Sequence, residues 1–354
     1  DPFEPTIRAG KVFARGAQDN KGQCFYTITA LKALLELSES LNFNLKLFIE
    51  GEEESGSVGT MEVLEQKQEE LQSDYLLVVD LGIPGPGIPA ITLGIRGILT
   101  MEIEVRTADG DMHSGGMGGV AYNPIRALSH ALAKCFDEEG RVAIPHFYDD
   151  VQELSAQEKK AFDLTMDEEK MQREFGLRAF CPDPGYTIGE SVSIRPTLEI
   201  NGISGGYTGK GFKTVLPAVA TAKVSCRLVP HQNPEKIFEN FKKHLETHLP
   251  NGIELTITKE HGSYAFRAKE NSLIAKQAAK AYEEVMEKPC KTILSGGSIP
   301  ITVELAKASG AEAVMMGFGL DTDNIHAPNE HFGLDRFEQG FLTMGRILGQ
   351  FNAL

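Results

Sequence analysis

Positive charge is what this chain has least of: 35 Lys and Arg stand against 50 Asp and Glu, for a formal net charge of −15. Nucleic acids and anionic membranes call for a basic surface, so neither is expected as a partner. Bound divalent metal would neutralise part of the acidic excess. No apolar run approaches the ~20 residues that span a bilayer. No signal-peptide pattern opens the chain either, and a cytoplasmic location is expected. Cysteine is also scarce. Cys24, Cys135, Cys181, Cys226 and Cys290 are odd in number, far apart and without a CxxC pair, which reads as reduced thiols of a cytosolic protein rather than a disulfide framework. Internal repeats and low-complexity linkers are absent. What is present is the composition of an ordinary globular protein, 41% apolar and 24% charged over 354 residues, long enough for two domains.

The stretch around which the chain is organised is an apolar run, residues 45–49, closed by Glu50-Gly51-Glu52-Glu53-Glu54-Ser55-Gly56-Ser57. Leu45, Leu47, Phe48 and Ile49 predict a short buried strand. Gly51 and Gly56 break it, and Ser55 or Ser57 caps the helix that follows. Adjacent carboxylates repel, so the cluster costs stability unless solvent, a helix N-terminus or a cation offsets it. Taken alone it is a solvated acidic turn. At the carboxyl end of a strand it is also where open α/β sheets bind ligands and metals.

Strand and helix alternate through the first part of the chain, the pattern of an α/β fold. A brief extended segment at residues 11–14 precedes a core-facing helix with Tyr26, Ile28, Leu31, Leu34 and Leu35 on one face. A polar-faced helix is expected over residues 60–72, and residues 74–80 form a continuous apolar strand of the parallel, doubly covered kind, ending at Asp80. Near Gly94 the style changes. Leu99, Met101, Ile103 and Val105 alternate with polar residues, as do Ala220, Ala222, Val224, Cys226 and Leu228, and then Ile253, Leu255 and Ile257. Each set predicts an antiparallel strand with one wet face. Asn123-Pro124 and Asn233-Pro234 open the two helices between them with a cap residue and a first-turn proline. These elements make a small α+β sandwich inserted into the α/β domain, with a charge-rich helical excursion over residues 146–178 inside it. From Asn271 the buried style resumes, and a final helix turns Phe337, Phe341, Met344 and Leu348 inward. The chain therefore divides into residues 1–95, 96–266 and 267–354, the first and last forming one domain.

Asp19, Glu54, Asp80 and His326 each follow an apolar strand at its carboxyl end, from four separate parts of the chain. Singly, an Asp in that place is usually a helix cap and His326 a loop residue. Together, three carboxylates and an imidazole make a ligand set suited to zinc or manganese, and a carboxylate can bridge two ions. The combination points to a metal hydrolase.

Seven segments carry a family resemblance: residues 14–22, 50–57, 109–119, 213–217, 227–230, 296–300 and the loop at His326. They look like those of the dizinc aminoacylase and carnosinase metallopeptidases, and in order and spacing they most resemble the cytosolic non-specific dipeptidases. The resemblance implies a phosphorylase/hydrolase-like α/β catalytic domain with an inserted ferredoxin-like lid and dimerisation domain. It further implies that Asp19 bridges two divalent ions, zinc or alternatively manganese, with Glu54 and His326 completing one ion and Asp80 binding the other. Glu53 would be the general base, taking a proton from water whose pKa the metals have lowered and passing it to the leaving amine. Glu52 keeps no role beyond solvated charge. His113, in an Asp-x-His-Ser-Gly-Gly loop, matches the histidine that reaches the other subunit's active site in the family and stabilises the oxyanion, so a homodimer is implied. Otherwise His113 is an exposed loop histidine.

Arg227 lies on the polar face of its strand. A guanidinium there suits bidentate capture of a substrate carboxylate, with Thr214, Gly297 and Ser298 assisting, and the alternative is a surface ion pair. A phosphate-cradling role for residues 296–298 lacks the Lys-Ser/Thr that should follow. Two features depart from the family. Its first metal motif, His-x-Asp, should lie upstream of Asp1, so the chain is expected to be the larger part of a longer enzyme with one metal site short of a protein ligand. Asn20 also stands where a second Asp is common. The reading is thus a homodimeric, metal-dependent dipeptidase acting on small peptides with a free C-terminal carboxylate. The alternatives are an N-acyl amino acid deacylase or an impaired chain serving as a metal-binding scaffold.

Overall fold

A computed structural model describes residues 1–38, 40–269 and 271–353. Its centre is a mixed five-stranded sheet in which Ala90–Ile95 pairs with Phe266–Arg267, Lys291–Ser295 and Glu312–Met316, and Glu312–Met316 pairs in parallel with Tyr75–Val79. Alternation along Glu312–Met316 sends side chains to two cores. Val314 and Met316 join Leu93, Tyr26, Tyr282, Phe318 and Ile347 on one face. Met315 joins Ile95, Leu64 and Ile301 on the other. Helices Lys21–Leu37, Leu273–Met286 and Leu334–Asn352 cover the first face, and Val58–Gln66 and Pro300–Ser309 cover the second. The result is the layered α/β arrangement that the alternation of elements predicts.

The inserted sheet is antiparallel, in the order Glu254–Ser263, Gly97–Arg106, Val219–Leu228, Thr197–Gly205. Leu99, Met101, Ile103 and Val105 are buried on one face together with Ala220, Ala222, Val224 and Cys226, each large aliphatic side chain contributing about 1.5–3 kcal/mol. Helices Pro124–Ala133 and Pro234–His248 close that core. Both start as their sequences dictate: Asn123 Oδ1 accepts from the Arg126 N–H at 3.2 Å and Asn233 Oδ1 from the Glu235 N–H at 2.9 Å, each ahead of a first-turn proline.

Passage between the sheets takes one residue. Ile95 ends a strand of the first sheet and Gly97 begins a strand of the second, with Arg96 between them. A Cβ on Gly97 would lie 2.4 Å from the Ser263 carbonyl oxygen, on the strand that returns from the insert. Only glycine lets the two crossings run side by side.

Several local expectations change. Residues 45–49 form no ladder, and Leu45, Leu47 and Ile49 are 41, 50 and 58% exposed. Apolar sequence favours a strand only where a neighbouring strand takes its N–H and C=O groups, and this segment has none among the described residues. Tyr75–Val79 is parallel as expected, but as the last strand of its sheet it is only partly covered. The helix expected over 60–72 is two, Val58–Gln66 and Gln68–Leu71, separated at Lys67. The excursion also packs outside the insert: Phe162 enters the core of the five-stranded sheet with Leu154 and Leu164 packed against it, and the Asp163 N–H bonds the Thr292 carbonyl at 2.9 Å. Sparse apolar residues among its charges find cover against Leu294 and its neighbours.

Candidate metal centre

The acidic knot divides its labour. Glu50 accepts from the Ser57 hydroxyl at 3.1 Å and from the Thr60 hydroxyl, and Glu52 Oε2 accepts from the Gly59 N–H at 2.7 Å. Both carboxylates thereby clamp the N-terminus of helix Val58–Gln66, where the helix dipole favours negative charge. Neither serine caps that helix: Ser57 lies at φ 54 with its hydroxyl turned to Glu50, and Ser55 donates to the Glu52 carbonyl. Glu52 is a clamp rather than free charge. Its two followers, in the short 3-10 turn Glu53–Ser55, face the site.

His326 Nε2 lies 2.7 Å from Glu54 Oε1 and 2.9 Å from Asp19 Oδ2. One ligand atom from each of the three residues falls within 4.8 Å of the other two. Two carboxylate oxygens and an imidazole nitrogen around one point are a donor set that fits zinc or manganese. Asp19 is raised above the usual carboxylate range, first by burial and then by the Glu54 charge, against the pull of His326. Burial works against the His326 imidazolium, but its bonds and attraction to Glu54 and Asp19 raise its pKa. Asp80, one residue beyond Tyr75–Val79, is pushed up to about 8 by burial and then by Asp19, Glu53, Glu54 and Glu50. Glu53 is raised by burial first, then by Glu54, Asp19 and Glu50. Five groups thus share one field of crowded negative charge, and three of them touch.

Their scaffolds differ from the expectation of four strand ends on one sheet edge. Asp80 fits it. Asp19 follows Lys11–Phe13, which belongs to a separate three-stranded sheet with Thr6–Arg8 and His331–Gly333, and Glu54 follows the unpaired segment.

Two residues that sequence reasoning missed hold the centre together. Glu330, 4% exposed, accepts from the N–H groups of Gly16 at 2.7 Å and of Gln18 and Asp19 at 3.1 Å each. Arg15 reaches Glu330 Oε2 and Glu54 Oε1, both at 3.4 Å. Glu330 follows His326 by four residues, so the loop that supplies one donor of the cluster also orders the loop carrying another. A lone Glu in a polar loop gives no sequence signal of this.

The remaining site residues form two further groups. Arg227 Nη1 donates to Ser298 Oγ at 2.8 Å, and burial lowers the guanidinium's pKa. Among the described residues no ion pair involves Arg227, whose Nη1 is engaged by Ser298. Gly297 lies beside them, its N–H bonded to Ser295 Oγ at 3.2 Å. On the insert, His113 Nδ1 accepts from the Gly115 N–H at 3.0 Å, so the neutral ring carries its proton on Nε2. Thr214 Oγ1 lies 3.4 Å from that nitrogen. Among the described residues no hydrogen bond joins His113 or Arg227 to Asp19, Glu54 or His326.

The family model described as Peptidase family M20/M25/M40 matches residues 1–350. A human Beta-Ala-His dipeptidase is 30% identical over 360 residues, 98% of this chain and 71% of the relative. The Cys-Gly metallodipeptidase dug1 of Schizosaccharomyces pombe is 30% identical over 350 residues, 96% of this chain and 73% of the relative. Among solved structures, the M20 family metallo-carboxypeptidase Sso-CP2 from Sulfolobus solfataricus superimposes with a TM-score of 0.90 at 33% identity, covering 100% of this chain and 80% of that one.

Proposed function

The chain belongs to peptidase family M20/M25/M40, and from that premise we propose that it is a metallopeptidase hydrolysing dipeptides at the centre formed by Asp19, Glu54 and His326. The observation that carries the reading is this three-donor cluster with the Glu53 carboxyl in its field. The dipeptidase names of the relatives favour dipeptides over N-acyl amino acids as substrates.

Asp19, Glu54 and His326 would hold one divalent ion, and Asp19 and Asp80 would contribute to holding a second. When bound, zinc or manganese supplies Lewis-acid polarisation of the scissile carbonyl and eases ionisation of the attacking water. Glu53 accepts the water's proton on a carboxylate oxygen and delivers it to the leaving nitrogen. Its environment already raises its proton affinity, as a general base working near neutrality requires. Arg227 receives the substrate's terminal carboxylate in a bidentate grip, flanked by Ser298 and Gly297. His113, its proton on Nε2, donates to the developing oxyanion with Thr214 beside it, in the site of a second copy of the chain. The five cysteines are free, in keeping with a cytosolic enzyme, and among the described residues no helix is long and apolar enough to cross a membrane.

The test is dipeptide hydrolysis by wild type and Glu53→Gln after loading with zinc or manganese. The variant should bind as much metal and lose about 10²- to 10⁴-fold in kcat. Undiminished turnover by Glu53→Gln would remove the proposed base, and a scaffold without catalysis predicts no turnover by either protein.

A further inference from the structure

Arg96 is the single residue between the two sheets, and it is 8% exposed. No carboxylate neutralises it through an ion pair among the described residues. Its guanidinium is spent on carbonyl oxygens: Nε donates to Gly296 at 2.8 Å and Nη1 to Arg195 at 3.2 Å. Its own N–H donates to the Gly297 carbonyl at 3.0 Å. One residue therefore fastens residues 296–297 through both side chain and backbone, and the next residue in that loop, Ser298, receives Arg227. The Arg195 carbonyl is a fixed post, because the Arg195 side chain, 2% exposed, is bound at 2.6 Å to both Asp183 and Glu153. The loop is also pressed close to this joint. A Cβ on Gly296 would lie 2.6 Å from the Val192 carbonyl oxygen and 3.2 Å from Arg96 Nη2.

The positive charge of Arg96 lies near that of Arg227, and burial together with that like charge lowers the Arg96 pKa to about 10. Arg96 and the half-buried Arg227 bring two like charges together with only the opposing pull of Glu199 on Arg96, an arrangement that favours an anion beside them. A fork that bonds carbonyls on two separate segments is also something a lysine's point charge cannot reproduce.

We propose that Arg96 is a positioning residue for the substrate carboxylate: it fixes residues 296–298 at the junction of the two sheets and so sets where Ser298 holds Arg227. The proposal rests on the assignment of Arg227 to the substrate's C-terminal carboxylate. Arg96 touches none of Asp19, Glu54 or His326, so its loss should weaken substrate capture and leave the metal centre intact.

The experiment compares wild type, Arg96→Lys, Gly296→Ala and Arg227→Lys, each loaded with zinc. KM and kcat are measured for a dipeptide and for its C-terminal amide. Kd is measured by calorimetry for a dipeptide analogue whose amide is reduced to an uncleavable amine. Arg96→Lys should raise KM for the dipeptide and Kd for the analogue about tenfold. It should erode the preference for free carboxylate over amide, hold kcat within about twofold and leave bound zinc unchanged. Gly296→Ala displaces the same joint from the loop side, should give the same signature, and decides the matter if Arg96→Lys does not fold. Unchanged KM and Kd in the folded variant overturn the proposal, as does a fall confined to kcat with loss of zinc. If Arg227→Lys keeps the wild-type preference for carboxylate over amide, the Arg227 assignment has failed, and the role proposed for Arg96 falls with it.

Discussion

Glu330 shows how much of a candidate metal centre can rest on a residue outside its donor set. Its buried carboxylate takes three backbone N–H groups of the loop bearing Asp19. Glu330→Gln keeps the shape but replaces one acceptor oxygen by a donor facing N–H groups. We expect zinc affinity to fall about 10- to 100-fold, as for other groups that orient metal ligands, and stability to fall by about 3 kcal/mol. Calorimetric zinc titration and thermal unfolding measure the two, and a variant with wild-type zinc affinity would show that the Asp19 loop does not depend on this anchor. Titration at the centre makes a second prediction. Asp19, Glu53, Asp80 and His326 are all raised, Asp80 to about 8. Each binds protons more tightly folded than unfolded, so each contributes stability that is present at low pH and lost as pH rises through its folded value. The thermal midpoint of metal-stripped protein should therefore fall between about pH 5 and about pH 8, the upper limit being set by Asp80. Added zinc should restore more at the upper end, because it competes with those protons. A midpoint that climbs over the same window would contradict the crowded-carboxylate description. At this scale the convergence of Asp19, Glu54 and His326 was legible in the motifs around them. Glu330 and Arg15 were not, because a residue that acts through backbone hydrogen bonds leaves no pattern of residue types.

Among the elements, the alternating strands of the insert and the two Asn-Pro helices follow directly from their sequences, since period-two burial and a capped first turn are local signals. The stretch around the glutamates was harder to read. Apolar side chains at residues 45–49 say that a strand is affordable there but not that a partner strand lies beside it, and pairing is decided by distant parts of the chain. The helix start after the glutamates was misassigned for a related reason. Ser57 has the right residue type, but Glu50 takes its hydroxyl and Glu52 supplies the acceptor at Gly59. Glu52→Ala should accordingly destabilise the protein by about 1 kcal/mol through helix Val58–Gln66, while zinc binding stays within about twofold, because the Glu52 carboxylate is engaged by the Gly59 N–H. Chemical denaturation and calorimetry separate the two effects. Loss of zinc with unchanged stability would reverse the division of roles drawn for the glutamates.

For the whole molecule, the alternating and half-wet patterns made the α/β body and its α+β insert legible, but not where the excursion packs. Phe162, Leu154 and Leu164 reach the core of the five-stranded sheet from a stretch that reads as charged helix. Assembly is likewise invisible to composition, and a mixing experiment addresses it. Glu53→Gln and His113→Ala should each be inactive alone. If His113 serves the other subunit, their mixed dimers contain one site with both residues intact, and an equimolar mixture should recover about a quarter of wild-type activity. A mixture as inactive as its components would place His113 in its own chain's site or outside the reaction. The metal centre proposed to cleave dipeptides is the cluster of His326, Asp19 and Glu54. Its most direct test is dipeptide hydrolysis while zinc is titrated back into chelator-stripped wild type and His326→Ala. Wild-type activity should rise to saturation with bound zinc, and His326→Ala should show little activity at the same zinc concentrations. Hydrolysis that survives the chelator, or a His326→Ala titration that overlays the wild type, would contradict that assignment.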